Sequence, residues 1–428
     1  MASGDAAREA RLRGDLEKIV GPDHVGGEEW LARLCGPSGP LAGKVVVAPG
    51  SPGEVAELVT YAGRTGTPVM PFGGGTRLHE VCPPESRGIF LSTVRMAAVV
   101  ELEVDNLSVT VEAGLSNTAL QGELFNHGLF LPVCSDSPHS TLGGQAARNH
   151  SAWRRYRHGK IGDFILGASF VTPTGKLVRT GGKTVKNASG YDLAKLLAGS
   201  WGNFAVITGI IFRLLPLPEK VVLVTAEFPS VDDGLRAAAA ILRHKTVLSS
   251  LNIFSTASAA ADATCRWSWT LVLEGSAEAV ASHQKSLCAL LPGEIKVEDG
   301  SKAAASAPYE AARNALHSGR RATAVIDKRK ISSLSPLLRL LLQHGIPFDG
   351  DLAAGVIEFA VPCHAHGGAA FTELLAQRLA ALQPDVRLLF DRIPPQPLLD
   401  RLSAGIDPAG IMFPSNLFRG GKAHGQGI

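Results

Sequence analysis

The stretch Pro71-Phe72-Gly73-Gly74-Gly75-Thr76 decides the fold of the first half of the chain. It ends a predicted strand–helix–strand unit with apolar strands over 45–48 and 69–72. The run Ser51-Pro52-Gly53-Glu54 predicts the helix start, because Ser caps a helix, Pro suits its first position and Glu closes a capping box. Three glycines after the second strand can direct several backbone N–H groups into one concavity, which suits a phosphate or pyrophosphate. A tight turn is the alternative interpretation, since glycine is the usual turn residue.

The composition is that of an ordinary globular protein. The chain has 428 residues, of which 45% are apolar and 19% are charged, enough for two or three domains with full cores. The formal net charge is only +3, so no electrostatic argument favours nucleic acid as a partner.

The cysteines and the hydropathy of the sequence indicate the cellular compartment that we expect for the chain. Six cysteines lie scattered along the chain without a Cys-x-x-Cys pair, so neither a zinc ribbon nor an iron–sulfur site is predicted. Scattered thiols are typical of a reducing compartment. The sequence shows no run of about 20 apolar residues and no apolar signal-peptide core. We therefore expect a cytoplasmic chain without a membrane span.

Three parts are predicted along the chain: a helical lead-in over 1–40, a domain over 41–218 and a second domain over 219–428. The run Leu215-Pro216-Leu217-Pro218 marks the boundary, because paired prolines end regular structure. The second domain alternates strands with amphipathic helices in an order that mixes hairpins and crossovers, which is typical of a ferredoxin-like sheet. No strong internal repeat is visible in the sequence. The predicted fold class is α+β.

Two common nucleotide sites are not supported. Gly182-Lys183-Thr184 matches the end of a phosphate-binding P-loop, but that loop requires a glycine at position 177, where this chain has Leu177. No Gly-x-Gly-x-x-Gly opens a helix after the first strand, so a nicotinamide-binding fingerprint is lacking as well.

Six motifs in order resemble a known family. They are Pro71 to Thr76, Ser140 to Ala147, Gly162 to Gly167, Gly181 to Asp192, Gly199-Ser200-Trp201-Gly202 and Val206-Ile207-Thr208. Together they resemble the FAD-binding domain of the vanillyl-alcohol oxidase type, also called the PCMH type. Lys186 to Leu193 and Cys134 to His139 are similar, more narrowly, to the FAD-binding subunit of glycolate oxidase.

The resemblance implies a two-subdomain FAD-binding domain followed by an α+β cap domain. It implies that backbone N–H groups at 73–76 hold the FAD pyrophosphate. Related covalent flavoproteins carry a histidine just after such glycines, whereas this chain has Thr76, so non-covalent FAD is expected. The implied cofactor contacts are Phe72, Gly73, Gly74, Gly75, Thr76, Ser137, Pro138, Thr141, Leu142, Gly143, Gly144, Ala147, Gly162, Asp163, Val206 and Ile207.

Candidate catalytic residues are His139 and Lys186. His139 precedes the 141–147 stretch and either lies near the flavin or is a hydrogen-bonded structural histidine. Lys186 belongs to a polar cluster that either binds a substrate carboxylate or fixes its own loop by internal hydrogen bonds. The cluster is Lys183, Lys186, Asn187, Tyr191 and Asp192. Three arginines, Arg154, Arg155 and Arg157, face a partner or an anionic substrate, or else form a solvated surface.

Several positions depart from the family pattern. Asn149 to Arg155 replaces a run of small residues, and Gly350-Asp351-Leu352 does not complete the Gly-Asp-Gly-Asn-x-His loop that carries a metal site in the D-2-hydroxy-acid dehydrogenase branch. Cys363-His364-Ala365-His366 has ligand-type residues without a distant third ligand, so a surface loop is favoured over a metal site. No metal is predicted.

The function implied by the resemblance is oxidation of a 2-hydroxy acid such as glycolate, with hydride transfer to flavin. A second flavoprotein and an iron–sulfur subunit are the implied partners, with peripheral attachment to the inner face of the membrane through that complex. The alternative is a non-catalytic FAD or electron-relay subunit, whose partner holds the substrate site.

Overall fold

The structure is a computed structural model of the chain. It describes residues 2–27, 45–78, 88–133, 135, 137–151, 154–182, 192–243, 248–256, 266–289, 291, 295–299, 320–361, 386–390, 405–407 and 410–412. These residues divide into two compact units. Unit 1 comprises the described residues of 1–150, 160–217 and 393–428, and unit 2 those of 151–159 and 218–392. The three-part division at 1–40, 41–218 and 219–428 stays a prediction.

The first sheet of unit 1 has the strand order β1-β2-β4-β3. Its elements are α1 (Ala2–Val20), β1 (Val25–Gly26), β2 (Val45–Val47), α2 (Pro52–Thr65), β3 (Val69–Phe72) and β4 (Ile89–Ser92). Strands β2 and β3 both run parallel to β4, which lies between them. The predicted strand–helix–strand unit is therefore present, and its two strands are separated by a strand that comes later in the chain.

Helix α2 begins and ends where the sequence predicts. The Ser51 hydroxyl accepts a hydrogen bond from the Glu54 N–H at 3.2 Å, and Gly66 caps the other end at φ 63°. The capping box differs from the prediction, because the Glu54 carboxylate accepts from the Gly50 N–H at 2.8 Å and not from that of Ser51. One face of α2 is fully buried, through Val55, Leu58, Val59 and Ala62. Each larger apolar side chain contributes roughly 1.5–3 kcal/mol on burial.

The second sheet of unit 1 is antiparallel, with the order β5-β6-β10-β8-β9. Its strands are β5 (Val99–Glu103), β6 (Ser108–Glu112), β8 (Ile165–Val171), β9 (Leu177–Gly181) and β10 (Val206–Arg213). Helices α3 (Asn117–Phe125), α4 (Leu142–Arg148) and α5 (Leu193–Leu197) accompany it, and β7 (Leu129–Phe130) pairs with β11 (Leu215–Pro216). Helix α4 covers most of the 141–147 stretch. The sequence does not predict this helix, because two adjacent glycines are unfavourable in a helix.

Unit 2 contains one eight-stranded antiparallel sheet with the order β15-β12-β14-β13-β17-β18-β16-β19. Its elements are β12 (Lys220–Glu227), α6 (Val231–Arg243), β13 (Leu248–Thr256), β14 (Arg266–Gly275), α7 (Ala277–Cys288), β15 (Ile295–Asp299), β16 (Arg320–Ile326), α8 (Ser335–Gln343), β17 (Phe348–Asp351), β18 (Val356–Val361) and β19 (Val386–Phe390). A short helix at Arg155–His158 also belongs to this unit.

The eight strands form two halves with the same strand order. Elements β12 to β15 follow a β-α-β-β-α-β course and assemble as β15-β12-β14-β13, which is the ferredoxin-like order. Strands β16 to β19 have the same order when read from the other edge of the sheet, β19-β16-β18-β17. The two halves join where β13 pairs with β17. The α+β fold class is confirmed. The structural repeat is not visible in the sequence. Two halves can form the same fold with different residues if both keep the same alternation of apolar and polar positions.

Candidate functional site

One cleft in unit 1 gathers most of the predicted cofactor contacts. Its walls come from the loop after β3, from α4, from the 201–202 turn and from the start of β10. The predicted contacts that line it are Phe72, Gly73, Gly74, Gly75, Thr76, Thr141, Gly143, Gly144, Ala147, Val206 and Ile207. Ser137, Pro138, Leu142, Gly162 and Asp163 are not among the lining residues. Their contacts with a cofactor stay predictions.

The loop after β3 presents a row of backbone donors. Gly73, Gly74 and Gly75 are buried, and within the described part of the chain the N–H groups of these glycines and of Thr76 donate to no protein acceptor. Buried N–H groups are nearly always hydrogen-bonded, so the three buried glycine donors, together with that of half-buried Thr76, suit a ligand with several oxygens. The arrangement fits a phosphate or pyrophosphate.

Each glycine of the loop is needed for a different reason. Gly75 has φ 71°, a left-handed conformation that favours glycine. A Cβ atom on Gly73 would overlap the Thr141 hydroxyl, and one on Gly74 would overlap the carbonyl oxygen of His139. The loop therefore packs directly against the segment that leads into α4. Positive φ explains only Gly75, whereas close approach of the Thr141 side chain explains Gly73 and close approach of the His139 backbone explains Gly74.

Helix α4 brings small residues to the cleft. Thr141 caps it by accepting a hydrogen bond from the Gly144 N–H at 3.3 Å. The Gly143 N–H donates to the Ala113 carbonyl at 2.8 Å, and a Cβ on Gly143 would lie 2.7 Å from the Ala113 Cβ. This helix could not pack so closely on the chain after β6 with a larger residue at 143. Small side chains leave the cleft open to a flat ligand.

Buried polar residues, two of which line the cleft, fix the position of α4. Buried Gln145 donates through Nε2 to the Ser140 hydroxyl at 3.2 Å and accepts from Asn117 Nδ2 at 3.0 Å. Asn117 Nδ2 also lies 2.8 Å from the Val133 carbonyl. Because breaking a buried hydrogen-bonded network leaves unsatisfied groups, these contacts fix the position of the helix.

The charged residues that line the cleft are basic. Arg77, Arg148 and His150 contribute to its walls, and no Asp or Glu does so among the described residues. The Arg148 guanidinium carbon lies over the Trp201 ring, 5.7 Å from its centroid. Sequence reasoning missed Arg77, Arg148 and His150, since single basic residues beside a glycine motif carry no recognisable pattern.

The candidate catalytic residues have different placements. His139 is exposed, and its side chain is not among those that line the cleft. His150 is 4% exposed and does line it, although its position was noted only as a departure from the family pattern. Lys186 lies outside the described residues, with the rest of the 183–191 segment. The catalytic roles of His139 and Lys186 stay predictions.

A buried ionic cluster in unit 2 involves Arg154 and Arg157, two of the three arginines considered in the sequence. The Glu274 carboxylate, 3% exposed, lies 2.5 Å from His158 Nε2 and 3.4 Å from Arg154 Nε. Arg157 Nη1 donates to the Glu274 carbonyl at 2.6 Å. Burial raises the pKa of the Glu274 carboxyl, but the His158 hydrogen bond and the Arg154 charge outweigh it and lower that pKa to about 2. Arg154 and Arg157 thus connect the 154–158 segment to β14, and Arg157 remains exposed.

Asp351 holds the same segment from another strand. Its carboxylate accepts the Ala354 N–H at 3.0 Å, and it is 8% exposed. Burial raises the pKa of Asp351 to about 7, although backbone N–H groups, including that of Tyr156, and the Arg155 charge act in the opposite direction. At the position where the related metal loop begins, the carboxyl of Asp351 thus accepts the Ala354 N–H through Oδ1.

The described residues were compared with the requirements of a metal site and of a membrane-spanning helix. In the described ranges no group of three His, Cys, Asp or Glu side chains is arranged to hold a metal ion. Cys363 to His366 lie outside those ranges. Among the helices that the structure describes, none is long and apolar enough to cross a membrane.

Comparison with known proteins agrees with the geometry of the cleft. Residues 43–181 match the family model described as FAD binding domain. The matched part of the chain, residues 43–181, is an FAD-binding domain. The match supports FAD as the cofactor, and its binding without a covalent link stays a prediction. The unpaired N–H groups at 73–76 and the basic lining of the cleft fit that cofactor, whose pyrophosphate is anionic.

Two curated relatives are named as a D-lactate dehydrogenase and as a glycolate oxidase subunit. The chain is 34% identical to D-lactate dehydrogenase from Archaeoglobus fulgidus over 199 residues, which cover 46% of this chain and 45% of that protein. It is 31% identical to glycolate oxidase subunit GlcD from Bacillus subtilis over 208 residues, 48% of this chain and 44% of that one. The chain thus matches less than half the length of these two relatives.

The fold extends further than the sequence similarity. A solved structure of alkyldihydroxyacetonephosphate synthase aligns with a TM-score of 0.64 over 86% of this chain and 76% of that chain. The sequence identity is 17%, so this likeness shows the fold alone.

Proposed function

We propose that this chain is an FAD-dependent oxidoreductase subunit that oxidises a small 2-hydroxy acid, such as glycolate, and passes electrons to a partner protein. The observation that carries the proposal is the row of unpaired N–H donors at Gly73 to Thr76 inside a PCMH-type FAD-binding domain. Relatives named D-lactate dehydrogenase, glycolate oxidase subunit and D-2-hydroxyglutarate dehydrogenase support the substrate class.

The residues of the cleft have distinct tasks in this proposal. FAD, when bound, supplies the acceptor for the hydride that leaves the hydroxyl-bearing carbon. The N–H groups at 73–76 bind the pyrophosphate, and Val206 and Ile207 provide an apolar wall that excludes water. An imidazole nitrogen of His150 takes the hydroxyl proton, because an imidazole changes charge near neutral pH. His139 and Lys186 are the alternative candidates for that step.

Electrons leave through a partner in this proposal. The six cysteines form no Cys-x-x-Cys pair, and no nicotinamide fingerprint is present in the sequence. An iron–sulfur subunit and a second flavoprotein are therefore the proposed partners, and membrane attachment is peripheral, through that complex. The isolated chain is expected to react weakly with oxygen and to co-purify with an iron–sulfur protein.

A relay subunit without a substrate site is the second candidate. It is favoured by Gly350-Asp351-Leu352, which interrupts the metal-bearing loop of the D-2-hydroxy-acid branch and whose aspartate is engaged with the Ala354 N–H. In that case the partner holds the hydroxy acid and this chain holds only FAD.

One experiment separates the two candidates. The purified FAD-loaded chain is mixed anaerobically with glycolate, D-lactate and D-2-hydroxyglutarate, and flavin bleaching is recorded alongside turnover with an artificial dye acceptor. Bleaching by one of these acids, with formation of its 2-oxo acid, supports the catalytic subunit. A chain that is inert alone and active only with its partner supports the relay. Rapid hydrogen peroxide formation by the monodisperse chain would contradict transfer to a partner.

A further inference from the structure

The strand that leads into the glycine loop has an outer edge. Among the strands that the structure describes, β3 lies at the end of the first sheet, next to β4. The Pro68 carbonyl accepts the Ile89 N–H of β4 at 2.8 Å, so the next residue, Val69, directs its backbone groups away from β4. Pro71 directs its carbonyl the same way and has no N–H. Of the four described residues of β3, Val69 therefore carries the one donor on the outer edge.

A segment from late in the sequence occupies that edge. The Val69 N–H donates to the Ile411 carbonyl at 2.7 Å, and Met412 forms a parallel bridge with Val69. This edge segment, the described residues of 405–412, belongs to unit 1, as β3 does, although it follows most of unit 2 in the sequence. It thus serves as a short parallel neighbour of β3.

One carboxylate gives the edge segment its shape. Asp407 is 8% exposed, and its Oδ1 accepts the Ile411 N–H at 3.1 Å, while its Oδ2 accepts the Met412 N–H at 2.8 Å. The Gly410 N–H donates to the Asp407 carbonyl at 3.0 Å. Hydrogen bonds to an ionised acceptor are stronger than those between neutral groups. Asp407 therefore fixes the two residues that meet β3.

The edge segment also packs against two apolar cores of unit 1. Ile411 and Met412 are buried in the core that contains Val69 and the buried face of α2. Half-buried Ile406 packs against the core that contains the apolar side chains of α4. The loop after β3 and helix α4 both contribute residues to the cleft. The segment is thus attached to the cores beneath two of the cleft walls.

The position of β3 matters to more than one part of the cleft. The strand continues directly into the donors at 73–76, and Pro71 itself lines the cleft. A Cβ atom on Gly202 would lie 2.7 Å from Pro71 Cγ, so the 201–202 turn packs closely on the same strand. A shift of β3 would therefore displace both the glycine loop and this turn.

We propose that Asp407 is a positioning residue of the FAD cleft, which holds β3 and the glycine loop in place through the edge segment. FAD binding and docking of the edge segment then stabilise each other, because both depend on the same position of β3 and such coupling is reciprocal. The proposal rests on FAD as the cofactor and does not depend on the identity of the substrate.

The test measures FAD binding, stability and amide exchange in the full chain. Asp407→Asn keeps the shape of the side chain, but its amide nitrogen is a donor, so only one of the two N–H groups keeps an acceptor. We expect the affinity of the apoprotein for FAD to fall by about 10-fold, equivalent to about 1.4 kcal/mol. FAD should also raise the thermal unfolding midpoint of the variant by less than it raises that of the parent, whereas a merely structural role would lower both forms alike.

Hydrogen exchange followed by mass spectrometry tests the coupling directly. In the parent, FAD is expected to slow amide exchange in the peptides that contain 69–72 and 411–412. In Asp407→Asn this protection by FAD is expected to be reduced at 411–412. Exchange at 411–412 of the parent that does not respond to FAD would overturn the proposal.

Two further variants keep the test decisive. Glu54→Gln is the matched control, because this carboxylate also accepts a backbone N–H in unit 1, that of Gly50 at 2.8 Å, and is not among the cleft residues. It should keep the FAD affinity of the parent. Gly410→Ala strains the turn at φ 62° without a clash within 4 Å, and it serves if the asparagine variant does not fold.

The outcomes against the proposal are specific. Unchanged FAD affinity in a folded Asp407→Asn protein, or in Gly410→Ala if only that variant folds, would overturn it. An equal loss of affinity in Glu54→Gln would do the same. Absence of turnover with every hydroxy acid would contradict the proposed function and leave these binding and exchange measurements unaffected.

Discussion

Gly74 lies directly against the carbonyl oxygen of His139, so that a single Cβ atom at position 74 would overlap it. This approach joins the glycine loop after β3 to the segment that leads into α4, and both segments contribute residues to the cleft. Neither backbone segment can move away without changing the cleft, because α4 is itself held by the buried Gln145 network.

We expect Gly74→Ala to lose FAD and to destabilise unit 1 by about 1–3 kcal/mol, the usual cost of forcing extra atoms into a packed region. The measurements are the flavin content of the purified protein and its thermal unfolding midpoint. Gly122→Ala is the matched control, since position 122 lies within α3 and a Cβ atom there would meet nothing within 4 Å. That control should keep its FAD and gain slight stability. A Gly74→Ala protein with full FAD content would remove this contact from the site.

The flavin should be released by acid. Thr76 stands where related covalent flavoproteins carry a histidine, and it lines the cleft. Precipitation with acid should leave a colourless pellet and free FAD in the supernatant. Yellow colour that stays with the pellet would contradict a dissociable cofactor.

The two histidines near the cleft can be ranked by kinetics. His150 lines the cleft and is buried, whereas His139 is exposed and contributes its backbone carbonyl to the Gly74 contact. General acid–base groups typically contribute about 100-fold to 10,000-fold in rate. We expect His150→Gln to lower kcat within that range and His139→Gln to retain most activity. The opposite ranking would assign the proton transfer to His139.

Local signals in the sequence were sufficient to predict much of unit 1. Ser51, Pro52 and Gly66 set the ends of α2 through backbone and side-chain hydrogen bonds within a few residues, so the sequence contains the needed information. The glycine loop was recognised because its position after a strand has a physical meaning.

What the sequence could not reveal depends on contacts between distant segments. Helix α4 contains Gly143 and Gly144, which disfavour a helix, and its position depends on Ala113 and Asn117 from earlier in the chain. Strand β17 carries Asp349, Gly350 and Asp351, a run that is depleted in strands, and it forms because β13 and β18 flank it. The ion pair of Arg154 could not be predicted either, because its partner Glu274 lies far along the chain.

Glu274 should make unit 2 sensitive to acid. Its pKa is lowered to about 2 in the folded protein, below the value of about 4.5 in an unfolded chain. The stabilisation is therefore complete above about pH 4.5 and is lost as the pH falls towards 2, at about 1.4 kcal/mol for each pKa unit. Glu274→Gln should unfold at lower temperature at pH 7, because Arg154 and His158 lose their counter-charge, and should show less acid dependence below pH 4.5. Glu123→Gln, on the exposed surface of α3, is the control and should keep the acid dependence of the parent.

Asp351 should act in the opposite sense and in a different pH window. Burial raises its pKa to about 7, so between about pH 4 and pH 7 the folded chain holds a proton that the unfolded chain has released. Stability therefore falls as the pH rises through this window and changes no further, on this account, above it. Asp351→Asn keeps the shape of the side chain, can still accept the Ala354 N–H and has no proton to lose. Unfolding by urea at pH 4.5, 6 and 8 should show the midpoint of the parent decreasing with pH more steeply than that of the asparagine variant. Parallel curves for the two proteins would mean that the carboxyl is already ionised in the folded state at pH 4.5, and that the Arg155 charge and the backbone donors outweigh burial.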